Sequence, residues 1–281
     1  MERDINPCSP HVTNVVSFLT GLFEQNYSNS TINNAKSTIA ALNMGGQSDK
    51  YTHLINKFMK GVFNKRPALP RYNTSWDPEQ VLNLFRNWEG NRNLSFTDLT
   101  LKTVSLLTLL SGRRGQTIKS IKINNIFFDE NEMKINLDGL QKTSKRGFNE
   151  PGIVIERYED KKLCLVDTVQ AYLRRTEQIR GGEEQLFISH TWPFKKVSRD
   201  TLSRYLKQVL SRAGVDTTVF KSHSMRSALV SKATKLKVST ATILAAIGWR
   251  QESTFAKFYN KPLNKNSGVL ASTVLKNSGK N

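Results

Sequence analysis

Towards the C-terminal end of the sequence, four side chains that can act on one anion come in a fixed order. His223 and Arg226 form an H-x-x-R pair at the start of a helical pattern. Gly248-Trp249 closes the next helical run, and Tyr259 follows Trp249 by ten residues, after a Ser-Thr pair that can open one more short helix. Upstream, the stretch Ser111-Gly112-Arg113-Arg114-Gly115-Gln116-Thr117 brings a second arginine to a break between two helices. A guanidinium stays charged and offers several N–H donors in a fork, so two of them can hold the oxygens of one phosphate. Imidazole can take or give a proton, an indole N–H can only donate, and a phenol can attack once its proton is drawn off. Taken singly, each residue has an ordinary role. Arg114 and His223 can cap helices, Arg226 can pair with an acid, Trp249 can fill a core, and Tyr259 can pack beside Phe255 and Phe258. The ordered set is what points to chemistry on a phosphate.

The elements that must place these residues are mostly helical. Val12, Val15, Val16, Leu19, Leu22 and Phe23 mark one stripe of a helix between Pro10 and Asn26. A second helix opens at Ser30-Thr31, and a third runs from Thr52 to Asn64 with Leu54, Ile55, Phe58, Met59, Val62 and Phe63 inward. Lys57, Lys60, Lys65 and Arg66 give that helix a basic, solvated face. Pro67 and Pro70 then stiffen a linker, which sets domains of 1–70 and 75–281. Asp77-Pro78 reads as a helix start, and Ser95 with Asp98 resembles a capping box. The helix after it is apolar on most sides (Leu99, Leu101, Val104, Leu106, Leu107, Leu109, Leu110) and belongs in mid-core. Ile126–Phe128 and Met133–Leu137 read as a hairpin across Asp-Glu-Asn-Glu, with a third strand at Ile153–Ile155 beyond the polar loop QKTSKRG. Helices return at Val166–Ile179 and at Ser198–Ala213, the latter capped by Ser198 and closed by Gly214. The expected class is α+β, mostly α.

Composition narrows the partner. The 281 residues carry 42 Lys+Arg against 23 Asp+Glu, a formal net charge of +19, which favours nucleic acid. No apolar run reaches the roughly 18 residues that a spanning helix needs, so no membrane role is expected. Cys8 and Cys164 are too few for a disulfide framework or a zinc cluster, and a reducing compartment fits them. There is no P-loop and no acidic cluster of metal-site type, so no cofactor and no metal is expected.

The ordered residues resemble the tyrosine recombinase (phage integrase) family. Its pattern is an arginine in G-x-R, a lysine in a β-hairpin loop, H-x-x-R, G-[HW], and a tyrosine nine or ten residues later. Gly112-Arg113-Arg114, Lys142, His223-Ser224-Met225-Arg226, Gly248-Trp249 and Tyr259 supply these elements in turn. Arg114 stands at the required spacing from Gly112; its neighbour Arg113 is the alternative. The strings STINNAKSTIAAL, FMKGVFNKRPALPRY, SHSMRSA and STFAKFYNKP look most like recombinases of DIRS-type retrotransposons. The resemblance spans about Asn6 to Leu263. Two positions depart from bacterial and phage members: Thr117 stands where a glutamate is common, and Trp249 where a histidine is.

The resemblance implies a helical, SAM-like core-binding domain, then a catalytic domain with a small antiparallel sheet, together clamping double-stranded DNA. It implies self-association as a dimer or tetramer on DNA, and a nuclear location for a eukaryotic mobile element, a cytoplasmic one otherwise. It implies Tyr259 as nucleophile, Arg114 and Arg226 on the phosphate, His223 as base or phosphate-side donor, and Trp249 as an indole donor. Lys142 would protonate the leaving 5′-oxygen, with Lys145 as the alternative in the same loop. The bond energy is kept in a 3′-phosphotyrosine. DNA grip is assigned to the basic segment 195–237, net +9, above all to Arg199, Arg204, Lys207 and Arg212. Two other readings share the pattern: a type IB topoisomerase-like relaxing enzyme, and a domesticated DNA-binding protein without catalysis.

Overall fold

A computed structural model describes residues 6, 8–42, 49–67, 73–139 and 152–248. The chain divides into two compact units, Met1–Pro70 and Arg71–Asn281. Among the described residues no helix is long and apolar enough to cross a membrane.

The first unit is three helices, α1 (Val12–Glu24), α2 (Asn29–Leu42) and α3 (Asp49–Lys65). Val15 and Leu19 of α1 meet Ile32 of α2 and Ile55 and Val62 of α3 in a small buried core. Spacings of four and seven residues put each helix's pair on one face. Arg66 departs from the solvated role expected of it. Its guanidinium lies 4.2 Å from the Phe23 ring centroid and donates to the carbonyls of Phe23 and Tyr27 at 3.0 and 3.1 Å. The side chain therefore ties the α1–α2 corner to the end of α3. Those carbonyls lie past or near the end of α1, where no intrahelical N–H serves them all.

The second unit is built around α5 (Phe96–Ser111). Its N-terminus is capped by Ser95, whose Oγ accepts from the Asp98 N–H at 3.0 Å. Every residue from Leu99 to Leu109 is buried, because α7 (Leu165–Thr176), α8 (Arg199–Arg212) and α9 (Ser224–Lys235) all pack on it. Most buried hydroxyls in such a helix find partners within it. Thr100, Thr103, Thr108 and Ser111 donate to the carbonyls one turn back, at 2.5–2.7 Å. Lys102, which the apolar pattern hides, is fully buried, and its ammonium donates to Asn91 Oδ1 at 2.8 Å.

Before α5 lies α4 (Glu79–Arg86); the Asp77 carboxylate accepts from the Glu79 N–H at 3.0 Å, one residue from the expected helix start. After α5 come the short α6 (Gly115–Ser120) and a three-stranded antiparallel sheet of β1 (Ile126–Phe128), β2 (Glu132–Ile135) and β3 (Ile153–Glu156). Ile126, Ile135 and Ile153 pair across the sheet and face the core, while Phe127, Lys134 and Val154 form the outward row. Asp129 makes the hairpin turn, its carboxylate accepting from the N–H groups of Asn131 and Glu132 at 2.9 and 2.8 Å. The last described helix, α10 (Thr240–Ile247), starts at Ser239 and packs on α9 through Val230, Ile243 and Ile247. The fold is mostly helical with one small antiparallel sheet.

Candidate active site

The site begins where α5 ends. Gly112 adopts φ 58°, a left-handed cap that glycine takes without strain. Space makes the same demand: a Cβ there would sit 3.0 Å from Leu229 Cδ2 of α9 and 3.2 Å from Ile247 Cγ1 of α10. The Gly112–Arg114 turn is thus pressed against two helices that follow it by more than a hundred residues. Arg114 is half-buried with extended backbone and leads into α6. Arg113 is buried at 2% exposure.

His223 stands at the N-terminus of α9, and Arg226 lies one turn on, 3% exposed and on the same face. His223 itself is open to solvent on part of its surface. Its pKa is nonetheless lowered, first by the protein packed around the ring, then by the guanidiniums of Arg226 and Arg114. The two arginines and the histidine therefore share one electrostatic neighbourhood. At neutral pH the imidazole is held in its uncharged form, beside two fixed positive groups that suit a tetrahedral oxyanion.

No motif marks what fixes the start of α9. Trp76 is buried, and its indole N–H donates at 2.8 Å to the Oγ of Ser224, the residue between His223 and the rest of the H-x-x-R turn. One residue on, Asp77 pairs with Lys232 of α9 at 3.1 Å. Burial pushes the Asp77 carboxyl up, but the Glu79 N–H and the Lys232 ammonium outweigh it and hold its pKa below the ordinary value. Residues 76 and 77 thus grip α9 at its first turn and again two turns later.

The four basic residues assigned to DNA are each exposed, whereas Leu202, Tyr205, Leu206, Val209 and Leu210 of α8 face inward. Arg199 starts the helix beside the turn that leads into α6: its Cγ is 3.9 Å from where a Cβ on Gly115 would be. Arg204 bonds Thr201 Oγ1 at 3.1 Å, and Lys207 follows on the same side. Arg212, at the far end, is engaged with Asp98 of α5 at 2.6 Å and lies 5.9 Å from the Trp88 ring centroid. Lys142, Lys145, Trp249 and Tyr259 lie outside the described residues.

With this arrangement in view, the sequence pattern of the phage integrase family matches residues 75–266. The chain belongs to that family. Solved structures share its fold at low identity. XerH site-specific recombinase bound to difH substrate, in a pre-cleavage complex, superposes with a TM-score of 0.63 at 13% identity, over 92% of this chain and 69% of that one. The Tn1549 transposon integrase in complex with transposon right end DNA gives 0.58 at 13% identity, over 94% and 85%. XerA recombinase gives 0.52 at 12% identity, over 97% and 85%. None of the curated proteins matches the chain by sequence.

Proposed function

We propose that the protein is a DNA strand-exchange recombinase of a mobile element, cutting and rejoining double-stranded DNA through a 3′-phosphotyrosine on Tyr259. The observation that carries this reading is the shared electrostatic neighbourhood of Arg114, Arg226 and His223, in a chain of the phage integrase family. In-line attack on a phosphodiester adds charge to its equatorial oxygens, and two guanidiniums suit that charge. His223, uncharged at neutral pH, can accept the phenol proton or donate to a phosphate oxygen. Trp249 supplies an indole N–H to the phosphate side, and Lys142, with Lys145 as the alternative, protonates the leaving 5′-oxygen. A 5′-hydroxyl from a second duplex reverses the step and joins new ends, so the bond energy is conserved without nucleotide or metal.

The first unit is the core-binding, SAM-like half of a clamp on double-stranded DNA, and α8 makes groove or backbone contacts through Arg199, Arg204 and Lys207. Arg212 has a weaker case, because Asp98 already engages it. Solved relatives include a lambda integrase dimer bound to a core site, which supports self-association on DNA here. The strings quoted above support a DIRS-type element, and with it a nuclear location.

The deciding experiment is a nicked suicide duplex, which traps the covalent complex on a denaturing gel. Wild type is expected to form the adduct with EDTA present, and Tyr259→Phe to lose it while melting and DNA affinity stay close to wild type. An adduct surviving in Tyr259→Phe would move the nucleophile elsewhere. Tyr158 is exposed, whereas Tyr205 is buried against the His190 ring. Relaxation of supercoiled circles without strand exchange would favour a topoisomerase-like enzyme. DNA binding with no adduct in any setting would favour a non-catalytic protein.

A further inference from the structure

Arg113 and Arg114 are adjacent in sequence and opposite in environment. Arg114 keeps part of its surface open beside His223, whereas Arg113 is turned into the protein at 2% exposure. Its Nη1 donates to the carbonyl of Ile247 and its Nη2 to the carbonyl of Gly152, both at 3.3 Å. Both acceptors sit at the ends of regular elements. Ile247 is the last residue of α10, and its carbonyl is among those a helix end leaves without an intrahelical donor. A positive group there also suits the helix dipole. Gly152 enters β3 so close to β2 that a Cβ on it would lie 2.8 Å from the Ile135 carbonyl oxygen.

We propose that Arg113 is a positioning residue that ties the Arg114 turn to the end of α10 and to the start of β3. One forked side chain holds three segments that are far apart in sequence. Each lies next to a motif: Arg114 follows directly, Gly248-Trp249 follows Ile247, and the QKTSKRG loop precedes Gly152. Only a guanidinium has the span and the paired donors for two carbonyls on different elements; an ammonium is a single point of charge. Burial keeps Arg113 off the DNA phosphate, so it acts through its neighbours.

The kinetic part of the test rests on the recombinase reading, and the structural part does not. Full-length Arg113→Met, Arg113→Lys and Arg114→Ala are compared with wild type by amide exchange without DNA. In Arg113→Met, exchange at Gly248 and along β3 is expected to quicken by about tenfold or more, while Arg114→Ala keeps wild-type protection. Unchanged protection in Arg113→Met overturns the proposal, whether or not the protein cleaves DNA. Should Arg113→Met fail to fold, Arg113→Lys takes its place with a smaller expected rise, and unchanged protection there overturns the proposal equally.

Single-turnover cleavage then separates positioning from phosphate contact. Both Arg113 variants should cleave about tenfold or more slowly at wild-type DNA affinity, since misplacement by an ångström can cost more than that. On a duplex with a neutral methylphosphonate at the cleaved position, Arg114→Ala should recover, because less charge remains to be met. Arg113→Met should not. Recovery of Arg113→Met on the neutral linkage would make it a phosphate ligand and overturn the proposal. A wild type that forms no adduct would count against the recombinase reading, with the exchange result still deciding the role of Arg113.

Discussion

The two ends of α5 are both held by arginines, in opposite ways. At the N-terminus, Arg212 reaches Asp98 across the surface, with the two side chains 40% and 32% exposed. Arg175 adds bonds to the carbonyls of Arg92 and Leu94 at 3.0 and 3.4 Å. At the C-terminus, Arg113 is buried and meets backbone carbonyls on two other elements. Water can stand in for a lost partner at the first end and not at the second. An exposed ion pair is worth roughly 0–1 kcal/mol, whereas a buried polar group left alone costs about 1–3 kcal/mol. The rigid end is the one that carries Arg114, and the forgiving end lies a helix length away from it.

This contrast can be broken or sharpened by measurement. The largest effect is expected at Arg114. Arg114→Ala should slow single-turnover cleavage by about 10²–10³-fold, the range for losing a donor to developing charge, with little change in melting. An equal loss in Thr117→Ala would show that the threonine at the usual glutamate position orients Arg114 after all. Gly112→Ala comes next: the left-handed backbone and the approach of Leu229 and Ile247 should together destabilise the fold by about 2 kcal/mol or more in denaturant unfolding. At the other end of the helix, Asp98→Asn should cost less than about 1 kcal/mol and leave cleavage unaltered. A large loss there would abolish the distinction between the two ends.

Two pH effects probe the same helix from its middle and its C-terminal side. Burial lowers the Lys102 pKa from 10.5 to about 8. Between these values the unfolded chain holds a proton that the folded one has shed, so stability should rise with pH across that window. The slope is at most about 1.4 kcal/mol per pH unit, and Lys102→Met should remove it. His223 is also lowered, so the folded protein should lose stability as pH falls through 6.5. If neutral His223 serves cleavage, the acid limb of the rate should lie below 6.5 in wild type and move up in Arg114→Ala, which lacks one cause of the shift.

What could be read from the sequence was local. Stripes in α1 and α3, the caps at Ser95 and Ser198, the alternation that sets β1 to β3, and the glycine closing α8 all depend on neighbours a few residues away. The H-x-x-R pair and the G-x-R spacing were legible for the same reason, since both are counted over a few residues. What stayed hidden depends on backbone carbonyls or on partners far along the chain. Trp76 meets Ser224 across 148 residues, and Arg212 meets Asp98 across 114. Arg66 and Arg113 bond to carbonyls, which every residue has, so no residue type marks their targets. Lys102 was masked by the leucines around it, since a single polar residue does not disturb an apolar pattern.

The bond from Trp76 to Ser224 bears on where the chain can be cut. A fragment beginning at Glu79 would keep all six motif side chains and nearly all of the large core, yet it would lose Trp76 and Asp77. Ser224 would then be left buried without its indole donor, and the first turn of α9 would be free to fray, taking His223 and Arg226 with it. Such a fragment should melt lower than one starting at Asn73, which keeps the grip. The shortest chain that holds the H-x-x-R turn in place is therefore set by a tryptophan that belongs to no motif.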